Sequence, residues 1–188
     1  MAALSCLVAG VMMLVLPGCG GSEGGGCATN PAGPGCVASA SPPPQLVTNI
    51  VSQGNGPLGA DTVAPVVFAT AATGSLSATV DWTFASNDVD IYLTRGSHPC
   101  TLETFNNRTC GFIATAENVL TKPERFTVAG LAAGTYTLYV ANFGDTDESV
   151  AYQVTLTSTS ASSASSATSP TVTGSAMKGT LRRIAQPR

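Results

Sequence analysis

The sequence predicts an all-β protein, an antiparallel β-sandwich of about seven strands flanked by disordered linkers. Apolar and polar residues alternate with period two in several segments between residues 45 and 157, as they do in half-buried strands. Clusters of Asn, Asp and Gly separate these segments and are typical of turns. No segment of useful length has the apolar spacing of an amphipathic helix. Residues 45–157 are long enough to enclose one hydrophobic core.

The clearest strand covers residues 75–84, where two sets of side chains are expected on opposite faces. The inward set is Leu76, Ala78, Val80, Trp82 and Phe84, and the outward set is Ser75, Ser77, Thr79, Asp81 and Thr83. The same alternation predicts strands within residues 89–94, 126–128, 136–141 and 150–156, with weaker candidates at 63–70 and 111–116. Trp82 is expected near the centre of the core.

The N-terminus predicts export. Residues 1–16 are apolar and uncharged, which fits the core of a signal peptide and falls short of a full membrane span of ~20 residues. The next residues, Leu16-Pro17-Gly18-Cys19, resemble a bacterial lipobox. The resemblance implies a signal peptide over 1–18, cleavage before Cys19 and fatty acylation of its thiol. Pro17 and the lack of a preceding basic residue depart from the pattern, and an ordinary signal peptide or a short anchor helix is the alternative.

A lipidated Cys19 followed by Gly20 implies, by analogy with lipoproteins, anchoring at the outer membrane or cell surface, outside the cytoplasm. Two or more fatty acyl chains hold a protein stably on a bilayer. Residues 19–44 are rich in Gly and Pro and are expected to form a flexible linker, in which Cys27 and Cys36 could form a disulfide. Residues 158–188 are Ser- and Ala-rich and then basic, so they are expected to be a disordered tail, with an uncapped helix over 177–184 as the alternative.

Three motifs in the central segment resemble the bacterial pre-peptidase C-terminal domain family. They are D-x-D-x-Y-L at residues 88–93, L-x-x-G-x-Y at 131–136 and Y-x-V-x-L at 152–156. The family is a jelly-roll-like β-sandwich appended to secreted proteases and other exported proteins. The resemblance implies a binding or targeting role, in some members with calcium or a matrix polymer, and no catalysis. The chain departs from the family because it carries no peptidase and has an insertion at residues 100–110.

The insertion predicts a disulfide between Cys100 and Cys110, because two cysteines with nine residues between them in an exported domain are expected to pair. One interpretation is that the disulfide rigidifies a recognition loop, and the other is that it only staples a long hairpin loop. Tyr92, Tyr139 and Phe143 are expected to be exposed and to stack on a ligand. The candidate ligand-binding residues are Tyr92, Phe105, Asn106, Arg108, Tyr139 and Phe143.

Metal, cofactor and catalytic signals are weak. Asp88 and Asp90 are weak calcium candidates because both can lie on one strand face. Their spacing does not match that of an EF-hand loop, so no metal or cofactor is predicted. His98 is the single histidine, and no nucleophile elbow or phosphate-binding loop accompanies it. Residues 45–157 hold ten acidic and four basic residues, a net charge of −6, which disfavours nucleic acid as a partner.

The sequence therefore predicts a membrane-tethered lipoprotein whose β-sandwich is a non-catalytic binding module. The expected ligand is a polysaccharide, a cell-envelope polymer or a protein partner. The alternative is a structural subunit of an envelope or extracellular assembly that packs through its edge strands. The oligomeric state is left open.

Overall fold

The computed structural model describes residues 43–119, 121–159 and 176–182. The described residues form nine strands and one short helix. In chain order these are β1 (Leu46–Leu58), β2 (Thr62–Thr70), β3 (Gly74–Trp82), β4 (Val89–Arg95), α1 (Leu102–Asn106), β5 (Ala114–Ala116), β6 (Glu124–Leu131), β7 (Gly134–Asn142), β8 (Glu148–Thr159) and β9 (Met177–Lys178). The predicted signal peptide, the lipidation of Cys19 and the pairing of Cys27 with Cys36 lie outside these residues.

The strands form two antiparallel sheets, so the predicted all-β sandwich is confirmed. The first sheet has the order β1-β8-β3-β6 and the second has the order β5-β4-β7-β2-β9. The main core lies between the sheets and contains the predicted inward residues of β3, β4, β7 and β8, for example Val80, Ile91, Leu138 and Val154. Period two thus identified the buried face of each of these strands correctly.

Strand β1 was not predicted. Its second half contains Gly54, Gly56 and Pro57, which are typical of turns. It is nevertheless paired with β8 along most of its length, from the Leu46–Thr159 pair onward, with a register shift after Ile50. Because β8 runs to Thr159, the folded segment continues past the predicted boundary at residue 157.

The expected disorder or helix of the basic tail is wrong for residues 176–182. Met177 and Lys178 form β9 and pair with Val63 and Thr62 at the free edge of β2. Leu181 is buried. This segment is ordered because its scattered apolar residues meet an apolar surface on the outside of the second sheet, a long-range contact that local composition does not reveal.

Two expectations for β3 need correction. Trp82 belongs to the main core but is the last residue of β3, so it closes one end of the core, where its Nε1 donates to the Asn87 carbonyl over 3.1 Å. Phe84 does not point inward, since 54% of it is exposed. The alternation stops at Trp82 because the backbone N–H groups of the next two residues turn towards the Glu148 carboxylate.

Candidate functional site

The outer face of the second sheet is covered rather than open to solvent. Alternation along β4 and β7 places Tyr92 and Tyr139 on this face, and the loop after β4 folds over them together with residues 176–182. We call this second apolar cluster the outer core. Its buried members are Val63, Tyr92, Cys100, Phe105, Tyr139, Ala141 and Leu181, and Leu102, Cys110, Phe112, Phe143 and Met177 pack against them.

The insertion loop is built as a rigid lid on this cluster. Cys100 and Cys110 form the predicted disulfide, with their Cα atoms 5.3 Å apart. Closing a loop of this length stabilises the fold by ~2–3 kcal/mol in the chain-entropy model. Thr101 caps α1, with its hydroxyl and that of Thr104 each accepting a hydrogen bond from the other residue's backbone N–H. The helix then directs Phe105 into the outer core.

Phe105 is the centre of an aromatic cluster. Its ring centroid lies 4.8 Å from that of Tyr92, 5.6 Å from that of Phe112 and 5.9 Å from that of Tyr139. The rings meet edge-on or tilted, the arrangements that aromatic pairs prefer. The buried ring of Phe105 thereby holds the insertion loop against the second sheet.

The expectation that Tyr92, Tyr139 and Phe143 are exposed stacking residues is wrong. Only 2% of Tyr92, 1% of Tyr139 and 4% of Phe105 is exposed, and Phe143 is half-buried against the same cluster. The Tyr139 hydroxyl accepts a hydrogen bond from the Cys100 N–H at 3.0 Å, and burial raises its pKa. The outer face of β4 and β7 does not meet solvent, because the insertion loop and residues 176–182 cover it.

Asn106 and Arg108 are also used within the molecule. The Asn106 side chain hydrogen-bonds to the backbone of Thr180 and Arg182. Arg108 forms an ion pair with Glu117, and its guanidinium lies 5.8 Å from the centroid of the Tyr92 ring. The loop therefore does not display these side chains as an open recognition surface.

The structure shows the surroundings of Asp90, one of the two weak calcium candidates. Asp90 is fully buried and accepts a hydrogen bond from the Tyr92 hydroxyl at 3.2 Å. Within residues 43–119, 121–159 and 176–182, no three His, Cys, Asp or Glu side chains are grouped so that they could hold a metal ion.

Glu124 is a buried carboxyl at one end of the main core. Only 1% of it is exposed, Oε1 accepts from the Asn118 N–H at 2.6 Å, and Oε2 has no hydrogen-bond partner. Burial raises the pKa of Glu124, and the nearby Asp88 carboxylate raises it further, while hydrogen bonds from Asn118 and Arg125 oppose the rise. The ionised form of this side chain is therefore unfavourable in the folded protein.

Among the described residues, the outer side of the first sheet is open to solvent. Residues that face each other across an antiparallel ladder point to the same side, so the registers of β1, β8, β3 and β6 define one continuous face. We call it the polar face. Its residues are Thr48, Ile50, Gln53, Asn55, Ser75, Ser77, Thr79, Asp81, Arg125, Thr127, Ala151, Gln153, Thr155 and Thr157, all exposed or half-exposed.

Hydroxyl groups dominate the polar face. Seven of its fourteen residues are Ser or Thr, and two are charged. Hydroxyls pair across neighbouring strands, with Thr48 Oγ1 2.7 Å from Thr157 Oγ1 and Ser77 Oγ 2.9 Å from Thr127 Oγ1. Each hydroxyl has one donor and two acceptor positions, so groups paired in this way keep capacity for an external partner. The surface can exchange hydrogen bonds with a ligand that is itself rich in hydroxyls.

Phe84 lies at one end of the polar face, just beyond Asp81. Glu148 holds its turn, accepting from the Thr83 N–H at 2.8 Å and from the Phe84 N–H at 3.2 Å, and the Phe84 carbonyl accepts from the Asn87 N–H at 2.9 Å. Hydrogen bonds to an ionised carboxylate are stronger than those between neutral groups. The exposed ring is thus presented from a fixed backbone.

Lys122 contacts the residues that precede Phe84 at the end of β3. Its Nζ lies 3.4 Å from the Asp81 carboxylate, donates to the Thr83 carbonyl at 3.3 Å and sits 5.7 Å from the centroid of the Trp82 ring. An exposed aromatic ring flanked by charged and hydroxyl groups can bind a molecule that has both an apolar ring face and polar edges. The sequence contained the outward residues of this surface, but the exposure of Phe84 depends on Glu148 and was missed.

Comparisons with known proteins assign no family. No protein-family model matches the chain, and no curated protein sequence matches it. The solved structures similar to it include the pre-peptidase C-terminal domain of collagenase from Bacillus anthracis. That domain has 14% identity and a TM-score of 0.38, and the alignment covers 59% of this chain and 88% of that one.

Two further solved structures are similar to a comparable degree. The Yersinia pseudotuberculosis-derived mitogen has 13% identity and a TM-score of 0.38, covering 66% of this chain and 93% of its own. The Aeromonas hydrophila periplasmic inhibitor of g-type lysozyme, PliG, has 15% identity and a TM-score of 0.33, and the alignment covers 62% of this chain and 89% of that one. Similarities this distant carry no argument about function. In the described part of the chain, no helix is long and apolar enough to cross a membrane.

Proposed function

We propose that this protein is a non-catalytic binding module that binds a polysaccharide through the polar face and Phe84. The observation that carries the proposal is an exposed aromatic ring, on a backbone turn held by hydrogen bonds, at the end of a sheet surface lined by hydroxyls. A sugar unit has the same two features, since its ring offers C–H groups to an aromatic face and its edge offers hydroxyls. Asp81 and Arg125 add charged hydrogen-bonding groups to the same surface.

The Phe84→Ala variant is expected to bind polysaccharide at least about tenfold more weakly, a loss of ~1.4 kcal/mol. The substitution removes the ring contact but leaves the Glu148 hydrogen bonds, which are made by the backbone. Binding is measured on an array of immobilised polysaccharides and then by calorimetry with the best ligand. Ile113→Ala is the matched control, because Ile113 is another exposed apolar residue (40%) and lies beside the Leu93 end of β4, away from Phe84. Equal binding by wild type and Phe84→Ala would exclude Phe84 from the site.

We also propose that the module is tethered to the cell envelope through a lipid on Cys19. The support is the lipobox-like sequence 16–19 and the Gly- and Pro-rich stretch that follows it, which would separate the domain from the membrane. Cells expressing the protein are expected to incorporate labelled palmitate into it, and Cys19→Ser is expected to abolish both labelling and membrane fractionation. Cys27→Ser serves as the matched control. Unchanged fractionation of the Cys19→Ser variant would contradict the anchor.

A second candidate function, a subunit of an assembly, is favoured by the free edge of β1. This edge strand carries no charged side chain over residues 46–58, although charges are the usual protection against edge-to-edge pairing. Its first residues also expose apolar side chains, with Leu46 72%, Val47 40% and Ile50 40% exposed. Such an edge is suited to antiparallel pairing with another strand.

If β1 mediates assembly, the Ile50→Lys variant is expected to be monomeric at concentrations where the wild type self-associates, because each interface would gain two like charges. Light scattering over a concentration series measures this. Ile113→Lys is the control, since it adds the same charge at an exposed apolar residue outside β1. A wild type that stays monomeric throughout rejects the second candidate.

A further inference from the structure

The edge of β2 and the insertion loop together form a groove that holds residues 176–182, which we call the strap. Met177 pairs with Val63, and Lys178 pairs with Thr62, so the strap adds a strand to the sheet. The Gly179 N–H then donates to the Asp61 carbonyl at 3.3 Å. Strand addition of this kind is one of the common ways in which proteins bind peptides.

Asn106 clamps the backbone of the strap from the other side. Its Nδ2 donates to the Thr180 carbonyl at 3.0 Å, and its Oδ1 accepts from the Arg182 N–H at 3.1 Å. A side-chain amide that contacts both a carbonyl and an N–H in this way recognises an extended backbone irrespective of its side chains. Asn106 is the last residue of the helix within the disulfide loop, so its backbone is held by that loop.

One side-chain position of the strap is selective. Leu181 is only 9% exposed and is part of the outer core, so it acts as an anchor. At position 179 a Cβ atom would lie 2.5 Å from Leu102 Cδ2, the end of a flexible side chain, so a larger residue there requires only that Leu102 shift. The groove therefore fits an extended segment that places a leucine at the anchor position.

We propose that this groove is a peptide-binding site and that the peptide it binds is the strap of a second copy of the chain. The sixteen residues 160–175 connect β8 to the strap and could extend ~55 Å, enough to reach a neighbour. Charge attracts a strap to the domain of its own chain or of a neighbour, because the strap carries Lys178 and Arg182 while residues 45–157 have a net charge of −6. The tethered strap competes at an effective concentration in the millimolar range, so exchange needs a crowded surface or a released strap.

The recognition step is tested with a full-length variant whose own strap is released. Leu181→Asp is expected to bind a fluorescent peptide of residues 176–182 at least tenfold more tightly than wild type, because its strap has lost the buried anchor. Adding Asn106→Ala to this variant is expected to weaken binding at least tenfold, as is Leu181→Asp in the peptide. Circular dichroism shows that each variant keeps its β structure. If the released variant does not bind the peptide better than wild type, the groove is not a peptide site and the proposal fails.

The second copy is tested by complementation between full-length chains. The Leu181→Asp variant can accept a strap but lacks the anchor to donate one, whereas the Asn106→Ala variant can donate its intact strap but has a weakened groove. A mixture of the two is expected to give a one-to-one complex in native mass spectrometry, and neither variant alone is expected to do so. If the peptide binds but the mixed chains stay monomeric, a second copy is not the partner, and the proposal is overturned.

Discussion

Replacement of Phe105 by Ala is expected to lower the free energy of unfolding by ~3–5 kcal/mol, the usual cost of removing a buried phenylalanine ring. Phe105 is 4% exposed and contacts Tyr92, Phe112 and Tyr139. The cavity cannot close easily, because the disulfide fixes the loop from which Phe105 projects. The loss of its ring also removes support for Leu181, so the strap is expected to loosen together with the lid.

Urea unfolding of the wild type and the Phe105→Ala variant measures this difference. Ile113→Ala is the control, because Ile113 is exposed and its truncation is expected to change stability by less than ~0.5 kcal/mol. Limited proteolysis followed by mass spectrometry then reports whether cleavage first appears near residues 97–113 and 176–182. A Phe105→Ala variant as stable as Ile113→Ala would show that the outer core contributes little to folding.

The Glu124→Gln variant is expected to be more stable than the wild type at neutral pH, because it removes a carboxyl group whose ionised form is disfavoured by burial. Gln keeps an acceptor for the Asn118 N–H but carries no charge to be buried or to be repelled by Asp88. The sign follows from the raised pKa of Glu124. The folded state binds this proton more tightly than the unfolded state does, so the wild type loses stability as the pH rises above the ordinary value of 4.5 towards the raised pKa.

Thermal unfolding at a series of pH values checks this expectation. The stability difference between Glu124→Gln and the wild type should be small below pH 4 and should grow as the pH increases to 8. Asp145→Asn is the matched control, since Asp145 is an exposed carboxyl in the turn before β8 and its neutralisation should change little. A difference that is constant with pH, or that favours the wild type at pH 8, would mean that Glu124 is ionised without penalty.

Local patterning predicted the main core well. The alternation along β3, β4, β7 and β8 identified which side chains face inward, because one face of each strand packs against the opposite sheet. It failed at the ends of strands, as Trp82 and Phe84 illustrate. The position at which a strand stops is set there by Glu148, a residue that is distant in sequence and that no local pattern connects to them.

The outer core could not be predicted in the same way. Tyr92 and Tyr139 alternate with inward residues just as solvent-facing residues do, so the pattern alone could not distinguish a face covered by a loop from an open one. The Cys100–Cys110 disulfide was predictable from spacing, but the loop's docking site was not. Conversely, the Ser and Thr residues of the polar face were assigned to the outward side correctly, and only their alignment across four strands required the structure.

The way in which the outer core is assembled limits where the protein can be shortened. A truncation at Thr159, where the low-complexity stretch begins, would be a natural choice for producing the domain. It would also delete Met177 and Leu181 and uncover the apolar surface that they shield, including parts of Phe105 and Tyr139. Exposed apolar patches of this kind promote aggregation, so a trimmed version should retain its C-terminal residues through Arg182.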